Sequence, residues 1–433
     1  MKTSKDSKAL DKRILEQIFL GQQEELQAKR KKRYCSRKEV GLVDLSSPQA
    51  QVVIGVRRSG KSTMCFQALE NAGVNYAYAD FDDEHLSGMS SDQLDAVLEV
   101  LYKIYGNFSC LFLDEIQNVE GWHLFVNRLL RKDIRVVITG SNANLLSSEL
   151  ATYLTGRNKE IDLYPFSFGE YCEMKGIDQG SISTQAEAFR RAAFDDYLKG
   201  GGFPEKFAMS DSSSYVSGLV KNILVRDIEQ RYGITFTDAF ERMANHLLNV
   251  SPTIVSVVDL AALFDIKSNV TVRNYIKYLK DSFILVEVQK YSPKSRQRIT
   301  QEKVYAVDVA MMDERENAFA GENLGWRLET IVLIELKRRC RLNGCDVYYL
   351  MERSYECDFV LCKGNVVKQA IQVAYDISSD KTRKREINGL LAAAKKTGCT
   401  ELLLLTDHDY ADVNVDEAVI KIRPVYDWCV GVK

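Results

Sequence analysis

The chain has 433 residues, 45% of them hydrophobic and 27% charged, and a net charge of −2. That is the mix of a folded globular protein, long enough for about two to four domains, and no run of uncharged apolar residues reaches the length of a membrane-spanning helix. The near-zero balance excludes a basic field over the whole surface, so any nucleic-acid contact must come from a local patch. The ten cysteines include no C-x-x-C pair and only four histidines accompany them, which argues against a zinc site or a disulfide framework and for reduced thiols. The charged N-terminus lacks the apolar core of a secretory signal, so the expected location is cytoplasmic, without a membrane partner.

Residues 1–40 predict a polar helical segment. Ile14, Leu15, Ile18, Phe19 and Leu26 give it a thin apolar face, and a basic run follows from Lys29 to Arg33. Such a run either touches nucleic acid or is a solvated helix surface. From Gln51 apolar strands alternate with helical stretches. The strands predicted are Val52–Ile54, Tyr76–Asp80, Cys110–Asp114, Arg135–Thr139 and Glu160–Leu163. Helical periodicity fills the gaps, as in Ser90–Tyr105 and Val126–Leu130. Strand–helix alternation implies right-handed crossovers and a parallel sheet covered on both faces, here over residues 41–165.

The first strand runs into Gly55-Val56-Arg57-Arg58-Ser59-Gly60-Lys61-Ser62, a complete G-x-x-x-x-G-K-[ST] phosphate loop, with Thr63 opening the helix behind it. Glycines let the backbone amides approach phosphate oxygens, Lys61 reaches the β- and γ-phosphates, and the Ser62 hydroxyl suits Mg²⁺. The helix that starts near Lys61 adds its positive N-terminal dipole. Arg57 and Arg58 fill free loop positions and face either a phosphate, a partner or solvent. Gly55 to Thr63 are therefore the expected nucleotide-binding residues, with Lys61 also acting in catalysis.

Leu111-Phe-Leu-Asp114-Glu115 is an apolar strand that ends in two carboxylates. Asp114, with Ser62, is expected to hold Mg²⁺, and Glu115 to act as general base toward water. A glutamate beside the metal aspartate marks the NTPases with an additional strand between the loop strand and the acidic strand. That gives the sheet order 5-1-4-3-2, with the ligand at the carboxyl ends of the strands. Thr139-Gly140-Ser141-Asn142 ends the fourth strand, so Ser141 or Asn142 can sense phosphate and attacking water, or cap a helix. Arg157 either neutralises transition-state charge, in its own subunit or a neighbour, or is a surface arginine. Asp80, Asp82 and Asp83 end the second strand, where carboxylates arrange water or cap the next helix.

These residues resemble the prokaryotic AAA-type ATPases that join a P-loop domain to a winged helix and a C-terminal nuclease-like domain of poorly defined function. The resemblance rests on Gly55–Ser62, Asp114–Gln117 with Trp122, Thr139–Ser141, Gly156-Arg157, Pro165–Glu170 and Gly201–Glu205. It implies ATP rather than another nucleotide. The resulting expectation is an α/β chain. The segments are 1–40, the ATPase core 41–165, a helical lid or linker region 166–235, a winged helix-turn-helix 236–312 and a restriction-nuclease-like α/β domain 313–433.

In the winged-helix segment, Val255–Leu263 and Val270–Asp281 are the two helices, with Ile284–Gln289 and Lys303–Asp308 as the wing strands. Thr271, Arg273, Asn274 and Lys277 with Lys294, Arg296 and Arg298 would form a groove-reading helix and a phosphate-binding wing, or the domain is a lid that docks a protein partner. For the last domain the resemblance implies an acidic helix residue, an Asp opening one strand and Glu-x-Lys on the next. Glu329 and Asp358 fit the first two places. The third reads Gln372-Val373-Ala374, without its lysine, and Lys368 or Lys384 would have to migrate into that role. The expected function is a nucleotide-driven switch acting on DNA or a protein. An ATP-dependent nuclease is the alternative that the missing lysine disfavours.

Overall fold

The computed structural model describes residues 11–32, 34–142, 154, 156–209, 211–212, 214–292, 301–312, 324–415 and 418–432. They form two compact units, residues 1–163 and 164–433.

The first unit is built on a five-stranded parallel sheet of order β2-β3-β4-β1-β5. The strands are β1 (Ala50–Ile54), β2 (Tyr76–Asp80), β3 (Cys110–Asp114), β4 (Arg135–Gly140) and β5 (Asn158–Asp162). This is the order expected from the Asp-Glu pair. The inner strands read as unbroken apolar runs because both faces are covered, and every residue of β1 and β3 is buried. Helices α2 (Lys61–Asn71), α3 (Leu94–Tyr105) and α4 (Trp122–Arg131) alternate with the strands. Met64, Phe66 and Leu69 of α2 pack with Val53, Tyr78 and Phe112 of the sheet.

Helix α1 (Lys12–Arg30) starts at Asp11, whose side chain caps Arg13 N–H. It buries Leu15, Phe19, Gln22 and Leu26, one stripe at helical spacing. Ile14, expected on that face, is largely exposed. Gln22 explains the difference. Its amide donates to Asp80 O at 3.0 Å and accepts from Asp80 N–H at 2.9 Å, so the buried stripe turns toward the end of β2.

The second unit opens with α5 (Phe168–Lys175), α6 (Thr184–Gly200) and α7 (Tyr215–Asn222), the last continuing as a π-helix over Ile223–Glu229. The Gly-Gly-Phe-Pro motif is a keystone here. Gly202 N–H donates to Asp308 Oδ2 at 2.9 Å, and Gly202 O accepts from Phe166 N–H at 2.7 Å. A Cβ at Gly202 would lie 2.1 Å from Phe166 O, so nothing larger fits.

Then come α8 (Thr237–Asn249), α9 (Val257–Leu263) and α10 (Asn269–Asp281), with Ser256 and Ser268 capping the last two. The strands β7 (Leu285–Lys290) and β8 (Glu302–Ala306) follow the expected hairpin positions, and a short strand that was not expected, β6 (Thr253–Ile254), pairs with β8. After α11 (Leu324–Asn343) lie β9 (Asp346–Met351), β10 (Glu356–Lys363), β11 (Val366–Val373), α12 (Asp380–Thr397) and β12 (Glu401–Thr406). Two strands and a helix unforeseen in the sequence close the chain: β13 (Ala411–Val415), β14 (Ala418–Pro424) and α13 (Val425–Val430). All nine strands form one sheet, β13-β14-β12-β11-β10-β9-β7-β8-β6, in which β7 joins β9 through Gln289↔Tyr348 and Lys290↔Tyr349. Residues on both sides of the 312/313 position therefore share a single ladder.

The expectation of thiols throughout is corrected at one pair. Cys340 and Cys345 form a disulfide. Gly344 turns the chain with a φ of 65°, Cys345 N–H bonds back to Cys340 O at 3.1 Å, and the two Cα atoms end 4.5 Å apart. Eight other cysteines are buried thiols. Among the described residues no helix is long and apolar enough to cross a membrane.

Candidate functional site

The carboxyl ends of β1, β3 and β4 bring the phosphate loop, Asp114-Glu115 and Thr139–Asn142 together. Gly55 is fixed by its surroundings, since a Cβ there would sit 2.1 Å from Leu163 O. Lys61 is 5% exposed. Its ammonium donates to Gly55 O and Val56 O, both at 3.2 Å, and stands 3.6 Å from Glu115 Oε1. The Ser62 hydroxyl donates to Asp114 Oδ1 at 3.0 Å. Thr139 Oγ1 also donates to Asp114 Oδ1, and Tyr78 OH to Asp114 Oδ2 at 3.1 Å. Glu115 has left-handed backbone (φ 49°), its N–H bonded to Thr139 Oγ1 at 3.1 Å. Its Oε2 accepts from Ser141 N–H at 3.2 Å, from Ser141 Oγ at 3.0 Å and from Gln117 Nε2.

Electrostatics separate the two carboxylates. Burial raises the pKa of Asp114 and adjacent Glu115 raises it further, against hydrogen bonds from Thr139 and Ser62. Burial also opposes ionisation of Glu115, but Lys61, the Gln117 hydrogen bond, Arg57 and Ser141 outweigh it and hold its pKa below the usual range. A third acid joins them. Asp80 sits opposite Asp114 in the β2/β3 register, and burial first, then Asp114, push it up to about 7.

Arg57 pairs with Asp82 at 3.2 Å, and Arg58 is exposed with a φ of 68°. Val56 and Ser59 are buried, while Thr63 is half-buried on the first turn of α2. Asn142 is fully buried at the end of β4. Arg157 is different. It precedes β5, and its carbonyl accepts from Ala50 N–H, at the start of β1. The loop follows the other end of that strand. The expectation that Arg157 serves its own phosphate site therefore fails, because strand direction puts it at the wrong end of the sheet. Sequence reasoning also missed Arg37, 5% exposed, which donates to Ser59 O at 3.1 Å. It lies in an aperiodic stretch that offers no pattern to read.

The glycine cradle, the lysine and the Ser62–Asp114 donor pair fit a nucleoside triphosphate with a hard divalent cation.

In the second unit, Glu329, Asp358 and Gln372 do converge, with Glu356 added. Asp358 Oδ2 accepts from Val373 N–H at 2.8 Å, and Asp358 N–H donates to Gln372 Oε1 at 3.2 Å. Ala374 is buried, and Lys368 and Lys384 are exposed. The lysine in the cluster is instead Lys303 of β8, which donates to Glu329 at 2.9 Å and Glu356 at 3.1 Å. On α10, Arg273, Asn274 and Lys277 are exposed and Thr271 is half-buried. Lys294, Arg296 and Arg298 lie outside the described residues.

An AAA-domain family model matches residues 47–172, and a model for a domain of unknown function matches residues 191–318. The chain is 30% identical to Uncharacterized protein MJ1544 of Methanocaldococcus jannaschii, over 98% of this chain and 96% of that protein. An uncharacterized protein of Haemophilus influenzae is 31% identical over 87% of this chain and 93% of its own length. Among solved structures, the Walker-type ATPase PABY2304 of Pyrococcus abyssi is similar with 14% identity and a TM-score of 0.41, covering 64% of this chain and 95% of that one. That likeness is too loose to carry an argument.

Proposed function

This chain is a P-loop, AAA-type member of the family that includes the Methanocaldococcus jannaschii protein, and from that premise we propose that it binds ATP with Mg²⁺ and hydrolyses it, using the cycle as a switch on DNA or a protein partner. One observation carries the reading. Ser62 and Asp114 meet at 3.0 Å beside Glu115, which Ser141 orients toward Lys61.

Ser62 and Asp114 would hold Mg²⁺, which when bound neutralises charge on the phosphate oxygens. Lys61 is pre-positioned by two loop carbonyls, and a phosphate oxygen is a stronger acceptor for its ammonium than either. Glu115 is ionised at neutral pH and takes the proton of the attacking water. Its hydrogen bonds from Ser141 fix the carboxylate, so the end of β4 couples the state of the site to the strand. A role for Arg157 is confined to a neighbouring subunit's site.

The proposed output is the α10 surface carrying Arg273, Asn274 and Lys277, in a winged-helix arrangement with β7 and β8. The test is phosphate release by the purified chain with and without duplex DNA. Stimulation by DNA supports nucleic acid as the target, and turnover indifferent to DNA supports a protein. Lys61→Ala and Glu115→Gln should abolish turnover; unchanged release from either variant would remove the reading.

A further inference from the structure

We propose that Lys303 is a resident counter-cation: its ammonium occupies the place where the Glu329–Glu356–Asp358 cluster would otherwise take a divalent metal ion, and so closes that cluster to metal and to phosphodiester chemistry.

The three carboxylates come from two elements, Glu329 from α11 and Glu356 and Asp358 from β10. Carboxylates converge in this way when a cation sits between them. Here the cation is covalently part of the chain. Lys303 bonds Glu329 Oε1 at 2.9 Å and Glu356 Oε1 at 3.1 Å, and Tyr305, two residues along the same strand face, gives Glu329 Oε1 a further bond at 2.7 Å. Lys303 is 6% exposed, Asp358 6% and Glu329 9%. A second cation entering this buried space would face the ammonium across the same oxygens, and like charges at that separation repel strongly.

The remaining polar groups are satisfied internally as well. Gln372 receives Asp358 N–H and donates its amide to Glu386 Oε2 at 2.7 Å. Glu386 is in turn bound by Arg385 at 2.9 Å. Gln372 carries no charge where a metal-binding site would want a carboxylate, which suits a monovalent ammonium better than a dication. With Lys303 in place, no three His, Cys, Asp or Glu side chains among the described residues are arranged to hold a metal. Lys303 therefore does not replace the missing strand lysine as a catalytic group. A catalytic lysine must face a phosphate, and this one faces two glutamates. The arrangement also pins β8 to α11 and β10.

The experiment is Mn²⁺ binding by the full chain without nucleotide, in an Asp114→Asn background so that the phosphate-loop site contributes nothing. Electron paramagnetic resonance reads bound against free Mn²⁺. The background protein should bind no Mn²⁺ that depends on Asp358. Adding Lys303→Ala should create about one equivalent of bound Mn²⁺ per chain, and adding Asp358→Asn to that variant should remove it. Mn²⁺ bound with Lys303 intact and lost in Asp358→Asn would overturn the proposal, as would plasmid cleavage that Asp358→Asn abolishes. A folded Lys303→Ala chain that takes up no Mn²⁺ would overturn it too. If Lys303→Ala is unfolded without metal, circular dichroism decides: recovery of helix on adding Mn²⁺ supports the stand-in role, and no recovery overturns it.

Discussion

Two places in this molecule put a buried lysine next to carboxylates, and they are opposites. At the phosphate loop, Lys61 rests on two backbone carbonyls and keeps 3.6 Å from Glu115. In the C-terminal sheet, Lys303 is bonded directly to two carboxylates. The first lysine is held loosely enough for a stronger anion to claim it. The second has already been claimed. The inventory of side chains is nearly the same; what differs is whether the cation's best partner is part of the chain or must arrive from solution.

The largest effect that tests this contrast is kinetic. Glu115→Gln should cut phosphate release about 10²- to 10⁴-fold while leaving nucleotide binding, and Lys61→Ala should lose binding as well. Fluorescent-nucleotide titration beside a phosphate-release assay separates them. Equal loss of binding in both would blur the distinction between base and anchor.

The second effect is on stability. Lys303→Met leaves Glu329 buried without its cation and should cost about 3–5 kcal/mol in urea unfolding of the nucleotide-free chain. Lys61→Met loses two carbonyl contacts and only a longer, 3.6 Å pairing with Glu115, and should cost less than half of that. If the two costs are equal, the contrast between an open and a closed site is wrong.

The third is a pH effect. Asp80 is raised to about 7 by burial and Asp114. A carboxyl whose folded pKa lies above its unfolded value is destabilising when ionised. The metal-free first unit should therefore lose stability as pH rises from about 4 to about 7 and then level off. Asp80→Asn should flatten that slope and add on the order of 2 kcal/mol at pH 8, measured by thermal unfolding across the range. A wild-type melting curve independent of pH over that window would contradict it.

The smallest effect concerns the α10 surface. Arg273→Ala and Lys277→Ala should each lower the salt slope of duplex binding by about one and weaken affinity on all sequences alike. Slopes unchanged in both variants would move the target from nucleic acid to protein.

The first unit was largely legible because a parallel sheet covered on both faces writes its strands as uninterrupted apolar runs. The ends of Tyr76–Asp80 and Cys110–Asp114 are as read, and the Asp114-Glu115 pair implied the order of all five strands. Of the readings open for Arg157, only service to its own site fails, because the sequence alone does not show that it lies beside the start of β1. Lys303 was invisible as a partner: its two glutamates lie 26 and 53 residues away, and a lysine in a strand looks like solvent-facing polarity. The last two strands escaped because charged residues such as Asp412, Lys421 and Arg423 interrupt any apolar pattern. The Cys340–Cys345 link had a faint signal in Gly344, which marks the helix end that folds one cysteine back over the other.

The pairing of β7 with β9 has a practical consequence for dissecting this protein. A fragment begun after residue 312 would keep β9 to β14 but strip away the neighbour that covers the outer backbone of Tyr348 and Tyr349. Freshly bared amides and carbonyls next to Leu350 are a template for self-association. Truncates cut there would report their own stickiness, and the C-terminal segment is better studied with the hairpin left on.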